Sequence, residues 1–174
     1  MKLYRFSPIE NTETLAETVE YVAKHATQLY FRSTGLMKDD LVTSLTIFAH
    51  YPEEFEALKS MASTVGSLYN ENNGPRYKLH QPIEVNLGIL EINGEDKSFR
   101  TAIQLLRIRQ PDPYRMQVGC ADLDVDFQYK GSKDAASSLD KDRSPRLITR
   151  KDFYMLEFFD PNIDVLAYVL SGNR

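Results

Sequence analysis

The feature that most constrains the fold is the run Ala121-Asp122-Leu123-Asp124-Val125-Asp126-Phe127, in which apolar residues and aspartates alternate strictly. Successive side chains of a β-strand point to opposite faces of its sheet, so this run predicts a strand with one apolar face and one face of three carboxylates. Residues 105–109 repeat the pattern with Arg107 and Arg109 on the polar side. Together the two segments predict a sheet with one buried face and one charged face.

The first third of the chain carries helical and strand patterns in turn. Apolar residues at spacings of three and four predict an amphipathic helix from about Asn11 or Thr12, both good N-caps, to Gly35. β-branched and aromatic residues over 41–51 favour a strand. Pro52 and Gly66 then bracket a second amphipathic helix, because proline fits the first turn of a helix and glycine its end.

The remainder reads mostly as β-structure. Residues 76–109 alternate around Asn93-Gly94, which predicts an antiparallel hairpin. The chain re-enters the sheet at 117–127, and the Ser-, Asp- and Lys-rich stretch 130–146 predicts a loop. The last predicted strands are 147–152, a central strand at 154–159, and 163–170, where a short buried helix is the alternative.

This order of elements predicts an α+β fold in which paired βαβββ-like modules form a cupped, mostly antiparallel sheet with an extra N-terminal helix. With 174 residues, 42% of them hydrophobic, the chain has enough apolar surface for one core. We therefore expect a single domain over residues 1–174. Within it, 1–40 form the N-terminal helical segment, 41–110 the first module and 111–174 a second, degenerate module.

Composition narrows the classes of function. A net charge of −4, with basic residues interleaved among acids, gives no electrostatic reason to expect a nucleic-acid partner. Cys120 is the only cysteine, so we expect no disulfide within the chain, and its apolar neighbours predict a buried, inert thiol. The sequence has no apolar run long enough to span a membrane and no signal-peptide core at its start. These features predict a cytoplasmic protein without a membrane partner.

Three features resemble one known superfamily. They are the helix that precedes the first strand, the run 69–83 with its Gly74-Pro75 turn, and the segment Pro111-Asp112-Pro113-Tyr114-Arg115. With the paired modules, they are similar to the vicinal oxygen chelate, or glyoxalase-like, superfamily, and more narrowly to its YecM-like branch. The resemblance implies a cupped sheet around a divalent metal. Where that superfamily carries metal ligands, this sequence has Ser44, Ala121 and Ala167.

A metal site would need other ligands in this chain. His50 ends the first strand, His80 lies on the polar face of a later strand, and Glu157 lies in the strand 154–159. Imidazole and carboxylate groups suit zinc and other divalent transition metals. We therefore predict that, if these three residues converge, they hold one divalent metal ion.

The charged strand faces allow two interpretations. If the sheet brings Arg107 and Arg109 beside Asp122 and Asp124, the four side chains form either a cross-strand salt-bridge ladder or a cradle for a small ligand. In the second case the guanidinium groups would bind a carboxylate or phosphate by paired hydrogen bonds. Residues near the two proline-containing turns would form the edge of the pocket: Tyr69, Arg76, Tyr114 and Arg115.

Three hypotheses about function follow. The first is a protein that binds a small anionic molecule through Arg76, Arg107, Arg109, Asp122, Asp124 and Tyr114. The second is a metal-dependent lyase, isomerase or dioxygenase of the vicinal oxygen chelate type. The third is a non-catalytic interaction domain, for which 10 tyrosines and 9 phenylalanines supply surface for a homodimer or another partner.

Overall fold

The computed structural model describes residues 4–126 and 144–171. Within them the chain forms two helices and eight strands, in an α+β arrangement as predicted. The elements are α1 (Thr12–Thr34), β1 (Val42–Phe48), α2 (Pro52–Val65), β2 (Gly66–Asn70), β3 (Arg76–Ile92), β4 (Glu95–Arg109), β5 (Gly119–Leu123), β6 (Arg146–Thr149), β7 (Tyr154–Phe158) and β8 (Val165–Leu170).

Both helices begin and end where local chemistry favours it. The side chain of Asn11 accepts a hydrogen bond of 2.8 Å from the backbone N–H of Thr14 and so caps α1. Gly35 ends α1 in the left-handed conformation, with its N–H donating to the Phe31 carbonyl. Pro52 occupies the first turn of α2, where a missing N–H costs nothing. These boundaries confirm the two predicted helices.

All eight strands belong to one open sheet, in the order β2-β3-β4-β1-β5-β8-β7-β6. Each half of the sheet has the same plan. In the first half, β1 pairs in parallel with β4, and in the second half, β5 pairs in parallel with β8. The halves meet where β1 and β5 pair antiparallel, and the other neighbouring strands are antiparallel too. The sheet is therefore mostly antiparallel and is built from two related halves.

One face of this sheet carries both helices. Helix α1 packs on β8, β3, β1, β5 and β7, whereas α2 packs on β2, β3 and β4. The strand side chains below the helices are apolar and belong to one core with those of α1 and α2. They include Leu45, Ile47, Leu106, Ile108, Ala121, Leu123, Val165, Ala167 and Val169. Because side chains alternate along a strand, the intervening residues lie on the opposite face.

The hairpin is confirmed, and two details of the strand predictions are wrong. Asn93 and Gly94 join β3 to β4 with positive φ angles of 54° and 81°, the conformation that a tight hairpin turn requires. Strand β5 ends at Leu123, four residues earlier than predicted, and the N–H of Val125 then bonds back to the Leu123 carbonyl at 2.9 Å in a tight turn. Strand β7 is next to the edge strand β6 and is not central.

The final strand is β8, which decides between the strand and helix alternatives for the end of the chain. The predicted loop over 130–146 lies mainly outside the described residues, although Arg146 opens β6. Neither helix in the described ranges has the length and apolar character needed to cross a membrane.

Candidate functional site

The sheet face opposite the two helices, called here the open face, carries charged residues from several strands. Register places Arg76 beside Arg107, and Arg107 beside Thr46 on β1. On the other side of β1, register places Asp122 beside Tyr168 and Tyr168 beside Glu157. The open face therefore carries Arg76 and Arg107 on the first half of the sheet, and Asp122 and Glu157 on the second half.

The arginines of the first half lie close together. Arg107 donates from Nε to the hydroxyl of Thr46 at 2.9 Å. Arg76 lies opposite Arg107, and its Nε is buried and makes no hydrogen bond with any described residue. Arg109 follows Arg107 on the same face. Burial lowers the pKa of Arg109, and the positive charges of Arg107 and Arg115 lower it further.

A fourth arginine reaches this group from the loop after β4. The guanidinium of Arg115 lies 4.3 Å from the centroid of the Phe48 ring, a cation–π distance. Its Nε is 3.8 Å from a carboxylate oxygen of Asp112, at the outer limit of an ion pair. The loop thus adds positive charge beside Arg109.

Asp122 faces these arginines across β1. The condition for both interpretations of the charged strands, that the arginine and aspartate segments lie side by side, is not met, because β1 lies between β4 and β5. The register does place both on the open face, as expected. Asp122, Arg76 and Arg107 line a small cavity of about 30 Å³ together with Ser44, Thr46, Tyr69, Leu105 and Leu106. The predicted salt-bridge ladder between directly neighbouring strands is therefore absent among these residues, and Asp122 and the two arginines instead line one polar cavity.

The other two aspartates do not join this cavity. Asp124 lies beyond the end of β5 and accepts hydrogen bonds from the N–H and hydroxyl of Thr43. Asp126 is exposed. Both line a separate hollow of about 320 Å³ near the end of α1. The prediction of three carboxylates on one strand face is wrong, since only Asp122 lies within β5; Phe127 is outside the described residues.

Cys120 lies at the junction of the two halves and confirms the prediction of a buried thiol. It is 4% exposed, and burial raises its pKa to about 12, with the charge of Asp122 acting in the same direction. A thiol with this pKa is almost entirely protonated at neutral pH. Cys120 therefore has the character of a structural group.

The second half of the open face contains a paired cluster that the sequence analysis did not find. Glu157 is 4% exposed and forms an ion pair with Arg146. The phenol of Tyr168 donates to the other oxygen of Glu157 at 2.8 Å. Burial raises the pKa of Tyr168, as do the nearby Cys120 and Glu157. The three residues lie on three separate strands, so no local motif connects them.

Beside this cluster is a larger cleft of about 550 Å³. Its lining includes Arg115, Arg146, Glu157, Leu166 and Tyr168. Clefts of this volume hold small molecules in many proteins. Tyr114, the predicted pocket-edge aromatic, is 89% exposed and lines neither this cleft nor the cavity at Asp122.

The three predicted metal ligands are not brought together. His50 is buried, stacks on the Tyr4 ring at 3.8 Å, and has its Nδ1 3.4 Å from a carboxylate oxygen of Glu54. His80 is exposed on β3, with its Nε2 3.0 Å from the Ser67 hydroxyl. Glu157 is bound to Arg146 instead. In the described ranges, no three or more His, Cys, Asp or Glu residues have the geometry of a metal site.

The contact between His50 and Glu54 stabilises the fold where β1 meets α2. Burial by itself raises the pKa of Glu54, but the nearby His50 side chain, the 2.7 Å hydrogen bond from the His50 backbone N–H, and the Ser7 side chain together outweigh it and leave the pKa lowered. The His50 Nε2 lies 3.1 Å from the Gln117 carbonyl. These contacts connect the end of β1 to the start of α2 and to the loop that carries Arg115.

Comparison with known proteins supports the fold only. No family model matches this sequence, and neither does any curated protein. The chain is similar to a solved structure described as "Structural Genomics, Protein EC4020", with a TM-score of 0.56 and 14% identity, over 99% of this chain and 94% of that one. At this identity the likeness shows a shared fold.

Proposed function

We propose that this protein is a glyoxalase-like protein that binds a small anionic molecule on its open face, through Arg76, Arg107 and Arg109. The observation that carries the proposal is the grouping of these guanidinium groups without an ion pair among the described residues. In contrast, Arg146 in the second half forms an ion pair with Glu157. An arginine cluster of this kind suits a carboxylate or phosphate group.

The electrostatics favour an anion at this position. Arg107 and Arg115 depress the pKa of Arg109, which means that their positive charges disfavour one another. A bound anion would relieve this repulsion and would accept hydrogen bonds from the Arg76 Nε, which has no described partner. Part-burial of the three side chains limits screening by water, so the attraction would exceed that of a fully exposed arginine group.

The assignment to the glyoxalase-like class is supported by the plan of the sheet. Each half has a parallel pair of strands beside the junction, with the remaining two strands further out, as expected for paired βαβββ-like modules. Both helices of the described residues pack on one face of the sheet, so neither of them covers the open face. The single, buried cysteine supports a reducing, cytoplasmic location.

The test is thermal stabilisation by inorganic phosphate, succinate and pyruvate, measured at constant ionic strength. We expect at least one of these anions to raise the melting temperature of the wild-type protein, and Arg107→Met to abolish that increase. Arg100→Met is the matched control, because Arg100 is exposed on the same strand β4 and lies outside the cavity. Equal stabilisation of all three proteins would contradict the proposal.

One observation favours a second candidate function, a protein-interaction surface. The hairpin of β3 and β4 extends beyond its pairing with β2 and β1, and Ile89 near its tip is 69% exposed. A strand pair that extends past its neighbours has unpaired backbone groups along its edges, with which another chain can pair. If this hairpin forms a homodimer, Ile89→Asp will halve the mass measured by light scattering; a wild-type monomer would remove this candidate.

A further inference from the structure

The polar cavity on the open face has groups of both charges in its wall. Arg76 and Arg107 contribute guanidinium groups from the first half of the sheet, and Asp122 contributes a carboxylate from the second. The hydroxyl-bearing residues Ser44 and Thr46 lie between them on β1. The cavity is therefore bipolar, whereas a site for a simple anion needs only the arginines.

We propose that the ligand carries an ammonium group next to its anionic group, as the head group of an α-amino acid does. This inference rests on the proposed function and specifies its ligand. The carboxylate of such a head group binds Arg107 and Arg76, and the ammonium binds the carboxylate of Asp122. A head group with both charges satisfies both sides of the cavity at once.

The charges of the cavity disfavour ligands that carry only one kind of charge. A ligand with only an anionic group would meet the negative charge of Asp122 across the cavity, and a ligand with only a cationic group would meet the two arginines. Like charges at short range in a partly buried site cost free energy, so each of these ligands would bind more weakly than the zwitterion. An ionised carboxylate accepts several hydrogen bonds, so Asp122 receives an ammonium while keeping its contacts within the protein.

The volume of the cavity sets what enters it. About 30 Å³ accommodates one group of the size of a water molecule. An ammonium group has that size, so the ammonium enters the cavity beside Asp122, and the carboxylate and the rest of the ligand lie at its mouth, next to Arg76 and Arg107. Tyr69 lines the cavity and is 52% exposed, so its ring borders the solvent side.

The experiment compares amino acids with the same acids lacking the amino group. Dissociation constants are measured by isothermal titration calorimetry for L-alanine with propionate, L-glutamate with glutarate, and L-phenylalanine with 3-phenylpropionate. We expect at least one amino acid to bind about tenfold or more tightly than its partner acid, which corresponds to about 1.4 kcal/mol.

The variants assign the preference to Asp122. Asp122→Asn is expected to remove the advantage of the amino acid while the partner acid binds as well or better. Asp126→Asn is the matched control, because Asp126 is exposed nearby in sequence and lies outside the cavity. The comparison of ligand pairs on the wild-type protein needs no variant, so it remains decisive if Asp122→Asn does not fold.

The outcomes separate the two proposals. If the deaminated acids bind as tightly as the amino acids, and Arg107→Met abolishes both, the zwitterion inference is overturned and the anion-binding function stands. If an amino acid is preferred and Asp122→Asn leaves the preference unchanged, the role of Asp122 is overturned. If none of the six compounds binds, and phosphate, succinate and pyruvate also fail to stabilise the protein, both proposals are overturned.

Discussion

The two halves of the sheet share a strand plan and differ in how their charges are balanced. In the second half, Glu157 is buried and its oxygens bind Arg146 and Tyr168. In the first half, Arg76 and Arg109 have no ion-pair partner in the described ranges, and Arg107 bonds only a hydroxyl. An ion pair with a buried carboxylate contributes to stability, whereas arginines without an ion pair can bind an anion. This difference is the basis for proposing a binding site in the first half.

The largest expected effect concerns the strand pair that joins the halves. Gly119 on β5 lies against β1 and α1, and a Cβ atom at this position would lie 2.9 Å from the Val22 Cγ2 and still closer to the Thr46 carbonyl oxygen. Gly119→Ala should therefore lower the free energy of unfolding by about 3 kcal/mol, as overpacking against backbone does. Chemical denaturation measures this change.

The control for that substitution is Gly35→Ala, at the end of α1. The space around Gly35 is open, but its φ of 69° disfavours alanine, so we expect a loss of only about 1 kcal/mol. Equal losses at the two positions would show that the halves are not tightly packed where they meet.

The next effect tests the paired cluster of the second half. Arg146→Gln removes the cation beside a buried carboxylate and should lower the free energy of unfolding by about 1–3 kcal/mol, because Glu157 would be left without its charged partner. Urea denaturation at neutral pH gives the value. An unchanged midpoint would mean that the ion pair between Arg146 and Glu157 does not stabilise the second half of the sheet.

Much of the local structure was predictable from sequence, because its causes are local. The α1 boundaries follow from Asn11 and Gly35, and the hairpin follows from Asn93-Gly94. The alternation of apolar residues and aspartates that predicted β5 continues to Phe127 in the sequence, whereas the strand itself ends at Leu123. The strand ends at a tight turn, in which the Val125 N–H bonds the Leu123 carbonyl, and alternation of polarity does not indicate such a turn.

The candidate site was harder to predict because it depends on the order of the strands. Sequence alternation placed Arg107 and Asp122 on polar faces correctly, but the position of β1 between them is a property of the whole sheet. The Glu157 cluster also joins three strands, and nothing near Arg146 in sequence indicates it. For His50, the spacing to Glu54 across the start of α2 was a signal for a buried pair.

A smaller effect distinguishes the halves by pH. The folded pKa of Tyr168 is raised, so its contribution to stability is complete below the unfolded value of about 10 and is lost as pH rises through the folded pKa. Tyr168→Phe should lose about 1 kcal/mol at neutral pH, because one hydrogen bond to Glu157 is removed. The difference from wild type should shrink above pH of about 10 in thermal denaturation; a constant difference would refute the assignment.

The smallest effect is expected from the arginine group itself. Arg109→Gln removes a positive charge that is repelled by Arg107 and Arg115. The free energy of unfolding should therefore stay within about 0.5 kcal/mol of wild type at moderate salt. At low ionic strength, where repulsion is less screened, the variant should be the more stable protein. A loss as large as that from Arg146→Gln would contradict the contrast between the halves.

The most direct test of the central claim is a nuclear magnetic resonance titration that follows the arginine side-chain Nε–H signals. Succinate or phosphate is added at constant ionic strength. The account predicts saturable shifts for Arg76, Arg107 and Arg109, while the signal of Arg146, already paired with Glu157, stays in place. Shifts centred on Arg146, or no saturable shift in any arginine, would contradict it.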